Sequence, residues 1–364
     1  MTIREICSHF ELNGKYVGCS EVSSGNINST YCVRLAYNGE TKQYILQRIN
    51  KEVFKEPEKV MDNIIRVTHH IRMNIIKNGE STKTGVLRAF SSRESDEPFI
   101  IDEFGEYWRC YRCIPNSVTY DSCDDLTIIA RAGSAFGKFQ EYLKDFPAIT
   151  LFLTIPDFHN TQKRYLALKD AINKDPYKRV SKVKSEINKL MAFEEDACLL
   201  QSLIDNGKIP LRVTHNDTKC NNISFDKSTG KALAVLDLDT VMPGAIAHDF
   251  GDAIRYIANT VVEDDPDTDA VALDLEKYEA FTMGFVPEIR NTISDKEKET
   301  LNLGVFAMTV ELATRFLADY IMGDKYFKTN YPGHNLERAR NQIALATDIF
   351  NKKEKMDEII QKYI

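Results

Sequence analysis

The sequence lacks an excess of positive charge and long apolar runs, and each absence excludes a class of partner. Its 364 residues carry 47 Lys and Arg against 54 Asp and Glu, which gives a formal net charge of −7 at pH 7. No basic patch dominates, which argues against a nucleic-acid partner. The first residues lack the apolar core of a signal peptide, and no uncharged apolar run reaches membrane-spanning length. We therefore expect a cytoplasmic protein with no membrane and no nucleic-acid partner.

Repeats and low-complexity segments are also lacking, and the cysteines are too scattered for a metal site. Of the eight cysteines, Cys110-x-x-Cys113 forms the one suggestive pair. No second pair completes a zinc site. Because both cysteines flank Tyr111 in a strand-like segment, we interpret them as strand residues near a pocket rather than as redox or metal residues. The apolar content of 43% and the charged content of 28% are typical of a soluble globular protein, and the length allows two packed lobes.

The most informative segment is T-H-N-D-T-K-C-N-N at residues 214–222. His215-x-Asp217, with Asn222 five residues after the aspartate, has the spacing of a kinase catalytic loop. Phosphoryl transfer needs a carboxylate that accepts the hydroxyl proton, and hard oxygen ligands that hold Mg²⁺ against the phosphates. We predict that Asp217 is the catalytic base and that Asn222 and Asp237 bind Mg²⁺.

Strand patterns flank this loop and favour a catalytic site over a chance polar turn. Residues 212–214 precede the loop and residues 223–225 follow it. A Lys-Ser-Thr-Gly turn at 227–230 then leads to a strand that ends near Asp237. Asp239, two positions further on, could support a second ion or form a hydrogen bond to the loop.

A second acidic motif, Asp249-Phe250-Gly251, looks like the metal motif of protein kinases but lies too far along the chain. It follows Asp217 by 32 positions, whereas the hairpin places Asp237 after only 20. Helical spacing follows the motif, so we interpret Asp249 as a helix N-cap that could also brace the catalytic loop.

These motifs resemble those of the aminoglycoside phosphotransferase and choline kinase group, and more particularly those of N-acetylhexosamine 1-kinases. The resemblance covers nearly the whole chain and rests on five further segments: S-G-N-I-N-S-T-Y at 24–31, I-L-Q-R-I-N at 45–50, F-G-K-F-Q at 136–140, I-P-D-F-H-N-T at 155–161 and R-F-L-A-D-Y at 315–320. It implies an α+β, bilobal, protein-kinase-like fold. The implied lobes are a small N-terminal antiparallel-sheet lobe, residues 1–114, which binds the nucleotide, and a larger, mainly helical C-terminal lobe, residues 115–364. It also implies ATP and Mg²⁺ as cofactors.

The predicted N-terminal lobe carries the nucleotide side of the site. Strand patterns joined at Asn38-Gly39 predict a hairpin. The segment before the hairpin lies where a kinase-like lobe places its phosphate-covering loop, so Gly25 and Asn28 are candidates for phosphate contacts.

Arg48 is the candidate cation for the α- and β-phosphates, because arginine offers phosphate a bidentate fork. Strand alternation places it on the face of Leu46. A surface arginine is the alternative, Gln47 is the alternative register, and Glu58 or Asn63 could be its partner.

A second hairpin pattern ends at Pro115-Asn116, the expected hinge between the lobes. In such folds adenine bonds to hinge backbone, so Arg112, Cys113 and Ile114 are candidates for the adenine site by position. Helical periodicity is predicted for residues 58–77, 127–143, 182–204, 300–323 and 334–363.

Three residues of the C-terminal lobe are candidates for the acceptor site. His159 lies in a proline-marked loop and could contact a sugar or cap a helix. Arg315 lies in an otherwise apolar helix, where it faces either a ligand or the carboxylates at i−4 and i+4. The resemblance favours the ligand. Tyr326, in the adjoining loop, could pack on a pyranose.

The resemblance implies an ATP- and Mg²⁺-dependent sugar kinase that phosphorylates the anomeric hydroxyl of N-acetylhexosamines, GlcNAc or GalNAc, to the 1-phosphate. The expected partners are then the sugar and ATP. Two alternatives stay open: another small-alcohol acceptor, such as choline, an aminoglycoside or another sugar, or a catalytically inactive kinase-like binding module. Arg315 near the acceptor disfavours a cationic one.

Overall fold

The computed structural model describes residues 1–22, 27–82 and 84–364. The chain forms two compact units. The first contains Met1–Thr119, Ile149–Pro156 and Ile223–Met242, and the second contains Tyr120–Ala148, Asp157–Asn222 and Pro243–Ile364. The predicted boundary after residue 114 lies near the end of the first of these segments. An antiparallel sheet in the N-terminal part and a mainly helical C-terminal part confirm the predicted α+β fold class.

An antiparallel sheet is the frame of the first unit. Its elements are β1 (Lys15–Val22), β2 (Ser29–Tyr37), β3 (Glu40–Arg48), β4 (Ala89–Phe90), β5 (Ile100–Ile101) and β6 (Tyr107–Arg112), with helices α1 (Ile3–Ser8) and α2 (Pro57–Lys77). The strand order is β1-β2-β3-β6-β4, and β5 pairs with β6. The predicted hairpin of β2 and β3 is confirmed, since Asn38 and Gly39 both have positive φ, 52° and 78°. An Asn-Gly turn of this kind favours both angles.

The two faces of this sheet differ because side chains alternate along each strand. On one face, Leu46 and Trp108 belong to an apolar core that includes residues of α1. On the other face, Arg109 donates to Gln47 and contacts the sulfur of Met61 in α2. One face is therefore packed with apolar groups, and the other contains a buried charge.

Shorter strands follow along the chain: β7 (Ser117–Val118), β8 (Arg212–Thr214), β9 (Ile223–Asp226), β10 (Ala232–Val235) and β11 (Met242–Gly244). Strands β7, β9 and β10 form an antiparallel sheet in the first unit, and β8 pairs with β11. The strand patterns predicted on both sides of the catalytic loop are confirmed by β8, β9 and β10.

Helices build the second unit: α3 (Leu126–Tyr142), α4 (Thr161–Lys174), α5 (Lys184–Asp205), α6 (Ile246–Ile257), α7 (Leu275–Ile289), α8 (Asp295–Ile321), α9 (His334–Asn351) and α10 (Lys353–Gln361). Helix α8 packs against α4, α5, α6 and α9. Helix α8 is long and apolar enough to cross a membrane. However, 78% of its most apolar stretch is buried inside the protein, as in a core helix.

The predicted helices are present, but one begins several residues earlier than predicted and another is divided in two. Helix α8 begins earlier than predicted because Ser294 and Glu297 form a capping box at its start. The pattern predicted as one helix over 334–363 divides at Lys352 into α9 and α10.

Helices α6 and α8 approach closely at two glycines. A Cβ on Gly304 would lie 2.0 Å from Ala247 O, and a Cβ on Gly251 would lie 2.3 Å from Gly304 O. No larger residue fits at either position without moving the backbone. This contact fixes α6, which carries Asp249, against α8, which carries Glu311.

Candidate active site

Asp217 lies in the loop after β8 and is surrounded by donors. Asn222 Nδ2 donates to Asp217 O at 2.8 Å and to its Oδ2 at 3.1 Å. Lys219 Nζ lies 2.9 Å from Asp217 Oδ1. Burial alone would raise the pKa of Asp217, but the charges of Lys219 and His215 and the donated hydrogen bonds outweigh it and lower that pKa. Asp217 is therefore ionised at neutral pH, as a proton acceptor must be.

Lys219 is a site residue that the sequence reasoning missed. The charge of Asp217 raises the pKa of Lys219 above its ordinary value, even though burial opposes this. The sequence did contain a signal for this residue, because Lys219 lies only two positions after the predicted base. In a phosphotransferase, a fixed ammonium beside the predicted base can also stabilise negative charge on the transferring phosphoryl group.

Asp249 of α6 holds the backbone of the catalytic loop. Its Oδ2 accepts from His215 N and its Oδ1 from Asn216 N, both at 2.8 Å. Gln140 Nε2 donates to the same Oδ2 at 2.7 Å. These bonds fix the two residues that precede Asp217, so the predicted bracing role of Asp249 is confirmed.

The prediction that Asp249 is a helix N-cap is wrong. Helix α6 begins at Ile246, and Ala245 occupies the N-cap position without a side-chain bond. Asp249 lies in the first turn of the helix, where its buried carboxylate faces the loop. One turn later, Asp252 Oδ2 accepts from Thr218 N at 2.9 Å, which extends the same bracing past Asp217.

His159 bonds to protein groups through both ring nitrogens. Nδ1 lies 3.1 Å from Glu311 Oε1, and Nε2 lies 3.0 Å from Asn216 O. The alternative role as a helix cap is wrong, since Asn160 caps α4 by accepting from Lys163 N at 3.0 Å. A sugar contact by His159 stays a prediction.

Arg315 of α8 is not paired with either carboxylate that its helix offers. Glu311, at i−4, is bonded to His159. Asp319, at i+4, accepts the backbone N–H groups of residues 325–327 at 2.9 Å. Within the described residues no hydrogen bond or salt bridge of Arg315 is found. The interpretation of Arg315 as half of a helix-surface ion pair is therefore wrong.

Aromatic rings surround the Arg315 guanidinium instead. Its central carbon lies 5.5 Å from the ring centre of Phe158, 5.7 Å from that of Tyr326 and 5.3 Å from that of Phe327. Tyr326 is 68% exposed. The structure thus brings together Arg315 and Tyr326, two of the residues predicted to contact the acceptor, on an accessible surface.

Arg164 of α4 adds a second guanidinium to this cluster. Its Nη2 donates to Phe158 O at 2.7 Å, while its buried Nε has no hydrogen-bond partner among the described residues. Burial and the charge of Arg315 lower the pKa of Arg164. Sequence spacing gave no signal for Arg164, because its neighbour Arg315 belongs to a distant helix.

Asp237 and Asp239 lie in the first unit, after β10. Asp237 has a left-handed backbone, φ 53° and ψ 60°, and begins a short 3-10 turn. In that turn Asp239 is 3% exposed, and its Oδ2 accepts from Arg109 Nη2 at 2.9 Å and from Asn28 Nδ2 at 2.7 Å. Its Oδ1 lies 2.5 Å from Arg109 Nη1, an ion contact without hydrogen-bond alignment. The bonds shown for Asp239 go to Arg109 and Asn28 rather than to the catalytic loop, so neither the predicted loop bond nor a second ion is shown by them.

The predicted ligands offer oxygen atoms of the kind that Mg²⁺ prefers. Asp237 supplies a carboxylate, and Asn222 supplies an amide oxygen, since its Nδ2 donates to Asp217. Among the described residues, no group of three or more His, Cys, Asp or Glu is placed to hold a metal. Each residue by itself offers a kind of ligand that suits Mg²⁺, which is bound through few protein oxygens and completes its shell with water and substrate phosphates. Their joint binding of one ion stays a prediction.

Of the two residues predicted to contact phosphate before the hairpin, the structure describes only Asn28. Gly25 lies outside the described residues. Asn28 bridges two segments of the first unit, since its Oδ1 accepts from Asn50 N at 3.0 Å while its Nδ2 donates to Asp239. Asn28 thus links the segment before β2 to the turn that contains Asp239. Its contact with phosphate stays a prediction.

Arg48 is exposed, and its Nη2 donates to Ser29 Oγ at 3.2 Å. It lines a cavity of about 310 Å³ at the end of β3. Neither predicted partner contacts it: Glu58 accepts from a tyrosine hydroxyl, and Asn63 donates to two backbone carbonyls. The buried cation of this sheet is Arg109, on the face of Gln47.

The hinge candidates have backbone partners within the first unit. Arg112 N donates to Arg88 O at 2.9 Å, and Ile114 O accepts from Ser117 Oγ at 2.7 Å. Their contact with adenine stays a prediction that a nucleotide complex can test.

A family comparison agrees with this geometry. Residues 18–285 match the model of the phosphotransferase enzyme family, known as APH. The match covers well over half of the chain, so the protein belongs to this phosphotransferase family.

Solved structures share the fold at low sequence identity. An aminoglycoside phosphotransferase from Alicyclobacillus acidocaldarius is 12% identical, with a TM-score of 0.66 and coverage of 100% of this chain and 97% of that one. A choline kinase from Cryptosporidium parvum is 14% identical, with a TM-score of 0.57 and the same coverage. A spectinomycin phosphotransferase, solved with ADP and spectinomycin, is 11% identical, with a TM-score of 0.55 and coverage of 96% and 97%. At these identities the likeness concerns the fold.

Proposed function

We propose that this phosphotransferase is an ATP- and Mg²⁺-dependent kinase that converts N-acetylhexosamines, GlcNAc or GalNAc, to their 1-phosphates. The catalytic loop and the family match support ATP as the donor, and the spectinomycin phosphotransferase of similar fold was solved with ADP. The sequence resemblance and the surroundings of Arg315 in the second unit support the acceptor. The observation that carries it is Arg315, which has no acidic partner among the described residues and lies beside the exposed ring of Tyr326.

The charges near the catalytic loop favour a neutral acceptor over a cationic one. Arg164 and Arg315 lie close enough for the charge of one to affect the other, and both act on Glu311. Glu311 is already bonded to His159. Choline and aminoglycosides are cations at neutral pH, and uncompensated guanidinium groups repel a cation. A sugar with neutral hydroxyls and an amide can instead accept hydrogen bonds from them.

In the proposed reaction Asp217 orients the anomeric hydroxyl and accepts its proton as the sugar oxygen bonds to the γ-phosphorus. The bond from that phosphorus to the β-phosphate oxygen breaks, and ADP leaves with the electron pair. Lys219, paired with Asp217, neutralises negative charge beside the acceptor. Asn222 and Asp237 would hold Mg²⁺, which would neutralise the charge that develops between the β- and γ-phosphates.

An acceptor panel with ADP release as the readout tests this assignment. We expect turnover with GlcNAc or GalNAc and little with choline, kanamycin or no acceptor. The matched control is methyl N-acetylglucosaminide, whose anomeric oxygen is blocked while every other hydroxyl remains. Turnover on the methyl glycoside would contradict phosphorylation at the anomeric position. Turnover on choline above that on the sugars would favour the amine-acceptor alternative, and none on any acceptor would favour the inactive module.

A further inference from the structure

His159 is held by two groups that can only accept hydrogen bonds. Its Nδ1 lies 3.1 Å from a carboxylate oxygen of Glu311, and its Nε2 lies 3.0 Å from the backbone oxygen of Asn216. The side chains of His159 and Glu311 are 7% and 2% exposed, so water does not replace either partner. A neutral imidazole has one N–H, whereas the imidazolium has two. Both contacts are hydrogen bonds only if His159 carries both protons.

The surrounding charges agree with this protonation state. Burial alone would lower the pKa of His159, but the charge and hydrogen bond of Glu311 outweigh it and raise that pKa. The pKa of Glu311 is lowered because the neighbouring cations outweigh its burial. The ring of His248, 5.3 Å away, has its pKa lowered to about 3 by burial and by the charge of His159, so it stays neutral.

The bond to Asn216 matters because of where that residue lies. Asn216 precedes Asp217 and has a positive φ of 64°. Its N–H donates to Asp249 Oδ1 at 2.8 Å, and its carbonyl accepts from His159. The carbonyl belongs to the peptide plane that leads into Asp217. That plane, and with it the direction in which the catalytic carboxylate leaves the backbone, therefore depends on His159.

We propose that His159, as an imidazolium held by Glu311, is a positioning residue that fixes Asp217 through the carbonyl of Asn216. This inference rests on the proposed phosphoryl transfer but not on the identity of the acceptor. The ionisable groups that face His159 are Glu311 of α8 and His248, Asp249 and Asp252 of α6, and Arg164 and Arg315 act on Glu311.

The consequence is a loss of activity at alkaline pH. Because the pKa of His159 is raised, the ring keeps its second proton through neutral pH and loses it as the pH rises through that raised value. The remaining proton stays on Nδ1, beside the negative charge of Glu311, so the contact between Nε2 and Asn216 O loses its proton and kcat falls. An opposite charge within contact shifts a pKa by about 1–3 units. Glu311→Gln should therefore move the alkaline limb of kcat to lower pH by about 1–3 units.

The experiment follows kcat and KM against pH for wild type, Glu311→Gln, His159→Gln and His159→Leu. On the acidic side we expect KM for ATP and for the acceptor to stay within about twofold of wild type in Glu311→Gln. His159→Gln keeps a donor for Asn216 O but does not titrate. Its kcat should therefore not fall at alkaline pH and should stay close to the wild-type plateau value. His159→Leu offers no donor and should lower kcat at least about tenfold at every pH. The matched control is Glu94→Gln, which breaks the exposed His9–Glu94 pair and should leave the limb unmoved.

A second measurement keeps the inference testable if a variant fails to fold or if no acceptor turns over. In ¹⁵N-histidine spectra of the wild-type protein at pH 7.5, we expect His159, assigned by its absence from the spectrum of His159→Gln or His159→Leu, to show two protonated ring nitrogens. A neutral His159 ring would overturn the inference. So would an unmoved alkaline limb in folded Glu311→Gln, or variants of His159 that change only the acceptor KM, which would make the histidine a sugar contact.

Discussion

Removing the carboxylate partner of Arg109 should be among the most destabilising conservative changes in the first unit. Arg109 is 1% exposed, and its guanidinium is paired with both oxygens of Asp239. Asp239→Asn removes the compensating charge but leaves an arginine that cannot lose its proton. In Arg109→Met the remaining carboxylate can take up a proton, which limits the loss. Asp239→Asn should therefore destabilise the protein more than Arg109→Met at neutral pH.

The magnitude follows from measurements on buried ion pairs. Removing one partner of such a pair costs about 3–5 kcal/mol, and each kcal/mol lowers Tm by about 2–4 °C in a unit of this size. We expect thermal unfolding at pH 7 to show Asp239→Asn melting about 6–20 °C below wild type. The double variant Arg109→Met/Asp239→Leu should recover most of the loss, because apolar groups of similar volume can replace a buried pair.

The matched control is Glu194→Gln, which breaks the exposed Lys169–Glu194 pair, 2.6 Å apart, and should cost at most about 1 kcal/mol. If the Tm of Asp239→Asn lies as close to wild type as that of this control, the Arg109–Asp239 pair does not stabilise the turn that contains Asp237 and Asp239. A double variant that melts below both single variants would also refute the reasoning.

Three further predictions concern turnover. Asp217→Asn should lower kcat by about 10²–10⁴-fold while ADP affinity, measured by calorimetry, stays near wild type; more than a tenth of wild-type turnover would sink the base assignment. Asp237→Ala should abolish Mg²⁺-dependent turnover in a metal titration, whereas Asp249→Ala, which unpairs two buried N–H groups, should cost about 3 kcal/mol in a melt. Arg315→Ala should raise the sugar KM strongly and leave the ATP KM nearly unchanged; equal effects on both would assign Arg315 a structural role.

Local patterns predicted the catalytic loop and its frame well. The strand-loop-hairpin order around Asp217 follows from alternation, turn residues and motif spacing, which act over a few residues. The capping box of Ser294 and Glu297 also has a local signature, and reading it would have given the start of α8. The sequence predicted Asp249 as the N-cap because aspartate is a favourable N-cap residue. The actual N-cap residue, Ala245, forms no side-chain hydrogen bond and has no capping signature in the sequence.

The parts that the sequence did not predict depend on contacts between distant segments. Arg109 meets Asp239 across 130 positions, and His159 meets Glu311 across 152. Nothing in the spacing of either pair marks it as a pair. For Arg315 the two nearest carboxylates suggested an ion pair, and only the fold shows that Glu311 has another partner. Burial of charge is a property of the packed chain, so these roles follow from the tertiary structure.

The most direct test of the proposed function is the position of the phosphate in the product. The ³¹P spectrum of the product formed from ATP and GlcNAc should show one new phosphomonoester whose phosphorus couples to the anomeric proton, and Asp217→Asn should form almost none of it in the same time. A phosphate on O6, or ADP release without any sugar phosphate, would contradict the assignment of this protein as a hexosamine 1-kinase.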